Sequence, residues 1–140
     1  MRSFAGDRRG ASAVEFALIS PFLLLLVGAI LAYGTIFATS LSLQQLAAEA
    51  ARASIGGLND AERAQLAQAH VNAMSDSYPL LRSDLLSFEF DAATGAQRSR
   101  VTLRYDLTGH PAYVLENLIP LPASPLSYSL AVTDGDGSTS

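Results

Sequence analysis

The sequence predicts an α+β fold in which a long N-terminal helix and a second helix pack on a small three-stranded antiparallel sheet. Three observations carry this. An uncharged run of about 33 residues, 16–48, starts directly after Glu15 and ends at Glu49. Helical spacing of apolar residues then continues to about residue 77. Beyond it the apolar period drops to two, in three short stretches separated by turn-forming residues.

The first ten residues carry Arg2, Arg8 and Arg9 against one acid, Asp7. Positive charge gathered before an apolar run predicts a cytoplasmic N-terminus and an exported C-terminal part. Arg8-Arg9 is a poor twin-arginine signal, because Gly10-Ala11-Ser12-Ala13 stands where apolar residues should follow. The apolar part of the run, residues 16–38, makes a helix of about 34 Å against a hydrocarbon core of about 30 Å. It is read as a membrane span. A conventional cleaved signal peptide is the other reading, with Ala38-Thr39-Ser40 as a small-residue cleavage site, but this run is longer than such a peptide and opens on an acid.

That acid, Glu15, calls for an account, since an isolated carboxylate in lipid costs several kcal/mol. One account places it at headgroup level, reaching water and favouring the positive end of the helix dipole. The other gives it a charged partner on a neighbouring chain, a pair that desolvation makes matter more. Within the span, Pro21 is placed to bend the helix rather than end it, with neighbours satisfying the carbonyl it frees. Gly28 and Ala32 form a small-xxx-small pair, and Gly34 adds a further small site for close helix approach. Tyr33 and Phe37 suit an interfacial aromatic belt.

The helix is expected to run on from about residue 12 to residue 55, with Leu43, Leu46, Ala47, Ala50 and Ala51 as a buried stripe and Gly56-Gly57 as its stop. Asn59 or Asp60 caps a second helix over about residues 61–77, whose stripe is Leu66, Ala69, His70, Ala73 and Met74. His70 reads as a hydrogen-bonded boundary residue rather than a ligand. Tyr78-Pro79 ends the helix.

Three strands follow. Leu86, Phe88 and Phe90 alternate with polar residues; so do Val101, Leu103, Tyr105 and Leu107, and Leu126, Tyr128, Leu130 and Val132. Residues 92–97 join the first two as a hairpin. Glu89 and Asp91 share the outer face with Arg100 and Arg104, spaced for cross-strand ion pairs of ~0.2–1 kcal/mol each. Residues 107–125 are rich in proline yet apolar, and Tyr113, Leu115, Leu118, Ile119 and Leu121 are expected to be partly buried with an exposed lip, a candidate partner surface. The end of the chain, Asp134-Gly135-Asp136-Gly137-Ser138, opens like a calcium loop but lacks the acid required at its twelfth position, and reads as a flexible acidic tail.

Composition narrows the function. About 80 residues lie beyond the leader and apolar helix, near the lower limit for an independent core. There is no cysteine, so disulfides, thiol nucleophiles and thiolate metal sites are excluded. All nine basic residues are arginine, and the net charge of −4 becomes about −6 once residues 1–10 are set aside. Such an acidic exported part argues against a nucleic-acid partner. No serine–histidine–carboxylate grouping, metal spacing or phosphate-binding glycine loop is visible, and His70 and His110 are the only histidines. The expectation is no enzyme, no cofactor and no metal.

The residues around Gly10 resemble type IV prepilins, whose peptidase cuts after a glycine and requires glutamate at the fifth mature position. Here Gly10 would end the leader, Ala11 would be the new N-terminus, and Glu15, followed by Phe16, would be the fifth residue. Residues 10–34, GASAVEFALISPFLLLLVGAILAYG, are similar to the TadE-like family of the tight-adherence (Tad) pilus system. The marks are the small residues before Val14-Glu15-Phe16-Ala17-Leu18, then Pro21, and the glycine-bearing end of the span. This covers about a quarter of the chain.

The resemblance implies a pilin-like architecture: a leader over residues 1–10, a long helix over 11–57, and a small exported α+β domain over 58–140. It implies a minor pilin, or pseudopilin, processed after Gly10 and required for Tad pilus assembly and surface adhesion. In such a protein Glu15 would neutralise the free α-amine of a neighbouring subunit. The implied partners are the prepilin peptidase, a TadF-type pseudopilin, the major Flp pilin, the inner-membrane assembly platform and membrane lipid. The implied location is the bacterial inner membrane, single-pass, with the C-terminal domain periplasmic and the possibility of entering the extracellular pilus. The alternative function is a permanently anchored periplasmic binding or assembly-chaperone protein.

Overall fold

A computed structural model describes residues 10–94 and 98–132, together with the backbone alone at Arg8 and Arg9. Residues 1–7 of the expected leader, residues 95–97 within the expected hairpin connection, and residues 133–140 with the expected acidic tail lie outside the described residues. The chain is α+β: two helices and a three-stranded antiparallel sheet in the order β1-β2-β3.

Helix α1 spans Arg8–Ser54, starting four residues earlier than expected, since Arg and Ala propagate a helix well enough to carry Gly10 within it. It runs through Pro21 unbroken. Proline lacks the N–H that would bind the carbonyl of Ala17, and the Ser20 hydroxyl donates to that carbonyl at 3.4 Å. The freed group is thus answered from within the chain.

The two halves of α1 differ. From Ala32 onward one face is closed off by Ala32, Ile36, Thr39, Leu43, Leu46, Ala47, Ala50, Ala51 and Ser54, at spacings of three and four. All five residues of the expected stripe are in it. The buried hydroxyls are satisfied along the helix, Thr39 donating to the Thr35 carbonyl at 2.9 Å and Ser54 to that of Ala51 at 2.7 Å.

The turn after α1 depends on Gly57, where a Cβ would meet the Arg63 backbone nitrogen at 2.6 Å. Asn59 then caps α2, Asp60–Met74, accepting from the Glu62 N–H at 2.9 Å, while Glu62 reaches back to the Leu58 N–H at 2.8 Å. The buried face of α2 is not the expected one. Ala67 and Val71 are buried and Met74 packs on the core, whereas Leu66, Ala69 and Ala73 are exposed. Ala67 and Val71 belong to the same buried cluster as Ala47 and Ala50 of α1, so the way α2 packs on α1, rather than its own apolar count, selects the face. The helix also stops at Met74 and a 3₁₀ turn, Ser75–Ser77, completes the expected length.

Strands β1 (Leu86–Asp91), β2 (Arg100–Tyr105) and β3 (Leu126–Ala131) pair with Phe88 opposite Leu103 and Leu103 opposite Tyr128. The inner face of the sheet lies on α1, with Val101, Leu103, Tyr105 and Leu107 buried in the core. Because β2 is central, Thr102 on its outer face is covered as well, at 7 % exposure, between Glu89 and Ser129. On that face Arg104 pairs diagonally with Glu89 at 3.1 Å.

Candidate functional site

The N-terminal half of α1 stands bare. Every residue from 10 to 27 is exposed except half-buried Ser20, and the helix reaches a mean hydropathy of 2.4 over an 18-residue window, none of it buried. Gly10, Ala11, Glu15 and Phe16 all lie here, with Phe16 at 66 % exposure. The Gly10–Ala11 bond sits within helical backbone, about 7.5 Å along the axis from Glu15 at 1.5 Å per residue.

The sheath of the helix begins at Gly28. A Cβ built there would lie 3.1 Å from Leu115 Cδ1, so the side chain seats in the space the glycine leaves. Ala32, one turn on, is 5 % exposed, and the Tyr33 hydroxyl donates to the Pro120 carbonyl. What approaches Gly28 is therefore this chain's own segment between β2 and β3. Gly34 is open, with nothing within 4 Å of a built Cβ.

That segment is organised by three devices. His110 caps a 3₁₀ turn, Pro111–Leu115, its Nδ1 accepting from the Ala112 N–H at 3.2 Å. The Tyr113 hydroxyl donates to the Pro122 carbonyl at 2.6 Å. At the base, Asp106 Oδ1 accepts from the Thr108 hydroxyl at 2.6 Å, the Thr108 N–H at 2.8 Å and the Ser124 hydroxyl at 2.9 Å, while Ser124 Oγ accepts from the Leu107 N–H at 2.9 Å. These bonds, the Thr108 hydroxyl first, hold the Asp106 carboxyl below its ordinary value of 3.8. The closed segment buries Leu107 and Ala112 and half-buries Tyr113, Leu115, Ile119 and Leu121 against the core.

Its exposed lip is Val114, at 82 % exposure, and Leu118, at 64 %. Val114 lies within the apolar stretch that the sequence marks as partly buried with an exposed lip, and it is the more exposed of the two. A 3₁₀ turn that aims Leu115 at the helix turns its neighbour outward, a local geometry that apolar composition alone does not reveal.

One polar cluster lies apart from both regions. Glu49 on α1 meets His70 Nε2 on α2 at 3.3 Å, so His70 is the hydrogen-bonded boundary residue expected, with a partner 21 positions away. Tyr78 joins the same carboxylate; its burial first, then the bond to Glu49 and that group's charge, raise the phenol above 10.0, with Arg52 opposing. Among the described residues, no group of three or more His, Asp or Glu side chains is placed to hold a metal ion.

The family model described as TadE-like protein matches residues 10–52, which is the bare half of α1 and most of its sheathed half. No curated protein and no solved structure matches the chain.

Proposed function

We propose that this chain is a pilin-like component of a Tad pilus, anchored in the membrane by the first half of α1. The family match supports a structural, pilus-associated protein with a single apolar anchor helix. The finer reading is a minor pilin: residues 1–10 as a cytoplasmic leader, removal of it after Gly10, and Glu15 as the residue that pairs with the new amine of a neighbouring subunit. The exported part is large for a simple anchor peptide, which favours the minor class over a short major pilin. Its partners in that reading are the prepilin peptidase, a TadF-type pseudopilin, the major Flp pilin and the inner-membrane assembly platform.

The observation that carries it is the Gly10–Glu15 spacing at the head of a helix left bare over residues 10–27 and then sheathed by an α+β domain. A soluble fold does not leave an apolar helix of this length uncovered. Co-expression with a Tad prepilin peptidase tests it. N-terminal sequencing should read Ala11 as the first residue, and Gly10→Leu should abolish the change. An uncut chain that still supports pilus assembly would instead favour the permanently anchored binding or chaperone protein.

A further inference from the structure

The segment between β2 and β3 has an orientation that the pilin reading does not supply. We propose that this segment rests on the lipid bilayer, with Val114 and Leu118 set into the headgroup–acyl boundary beside α1. The inference rests on α1 being a membrane anchor.

Continuity with the span is the first argument. Leu115 seats at Gly28 and Tyr33 holds Pro120, so the lip emerges from the apolar run itself. Just beyond that contact α1 also shows lipid-compatible side chains to the outside, Ile30 and Leu31 both at 63 % exposure.

Length is the second. The bare stretch, residues 10–27, is about 27 Å long at 1.5 Å per residue, close to the hydrocarbon thickness of about 30 Å. The uncovered part of the helix therefore fills the hydrocarbon, and the segment begins where the hydrocarbon ends.

Side-chain chemistry is the third. A loop carrying Glu116 and Asn117, both exposed, cannot sink into the acyl region, because a carboxylate and a carboxamide would lose their water there. It stops at the boundary. Two exposed apolar side chains there gain burial in lipid that water denies them. This surface is thus a lipid-facing one rather than a site for a second protein.

The same register moves Glu15. It lies thirteen residues before Gly28, about 20 Å along the axis, which places it roughly 10 Å inside the opposite boundary. The carboxylate is then within the inner leaflet, where a charged partner matters most.

The chain contains no cysteine, so single-cysteine labelling is clean. Leu23→Cys, Leu58→Cys, Val114→Cys and Leu118→Cys, each carrying an environment-sensitive fluorophore on the full chain, would be reconstituted in phosphatidylcholine–phosphatidylglycerol vesicles. Leu58, at 90 % exposure, is the aqueous reference, and Leu23 the acyl reference. The expected result is blue-shifted emission at positions 114 and 118, loss of it to a headgroup-level nitroxide lipid, and shielding from aqueous iodide. Labels there that behave like Leu58→Cys while Leu23→Cys stays quenched by acyl-chain nitroxide would overturn the proposal and leave the anchor intact. Iodide access at position 23 would remove the anchor and the proposal together. Shielding from both quenchers that vanishes on diluting the protein among vesicles would mean a second copy covers the lip, and would also overturn it.

Discussion

Leu115 and Gly28 fit as a side chain into the gap left by a missing one, 87 positions apart in sequence, with Cδ1 only 3.1 Å from where a Cβ would stand. This one contact decides how far down the anchor helix the folded domain extends.

Enlarging Gly28 should therefore expel Leu115. Gly28→Leu is expected to destabilise the domain by about 1–3 kcal/mol through overpacking. Gly28→Ala should be nearly neutral, since the shift it asks of Leu115 is offset by helix propensity. Combining Gly28→Leu with Leu115→Ala should recover much of the loss in detergent unfolding curves. Strict additivity of the two changes would show that the residues do not couple.

The core beyond Ala32 should be unforgiving. Leu46 is 0 % exposed, and Leu46→Ala should cost about 2–5 kcal/mol. Leu58, at 90 %, is the control, and its alanine variant should stay within about 0.5 kcal/mol of the parent. Chemical denaturation of the full chain in detergent compares them; equal midpoints would refute the assignment of α1 to the core.

Acid should loosen the segment between β2 and β3. The Asp106 carboxyl is depressed in the folded state by Thr108 and then Ser124, so its contribution is complete above 3.8 and is lost as the pH falls through the folded value. Asp106→Asn should flatten the acid limb of a stability–pH curve relative to the parent. Parallel curves for the two proteins would show that the carboxylate does not staple the loop.

Alkali should act at the other polar cluster. The Tyr78 phenol is raised by burial and then by Glu49, so the stability it adds is present below 10.0 and disappears as the pH rises through its folded value. Glu49→Gln should bring the phenolate absorbance transition of Tyr78 back toward, but not to, that ordinary value. A transition unmoved by the substitution would mean that burial alone is responsible.

Much of this was legible because it is local. The buried stripe Leu43, Leu46, Ala47, Ala50 and Ala51, the inner faces of all three strands and the stop at Gly56-Gly57 are periodicities and backbone preferences written in adjacent residues. The face of α2 was misjudged by one step. Counting apolar residues favours Leu66 and Ala69, while the packing of α2 against the core buries Ala67 and Val71. His70 likewise had no carboxylate neighbour within helical reach, and found Glu49 on the other helix.

By itself the sequence determined the apolar run, the acid at its head, the order of the elements and the side each strand shows to the core. These follow from hydrophobic period and chain geometry, which act between residues near in sequence. Only the tertiary structure decided where the bare apolar helix gives way to folded domain. That boundary is set by Leu115 meeting Gly28 and by Tyr33 meeting Pro120. Contacts across such separations depend on how strands and helices stack, and no local pattern contains them.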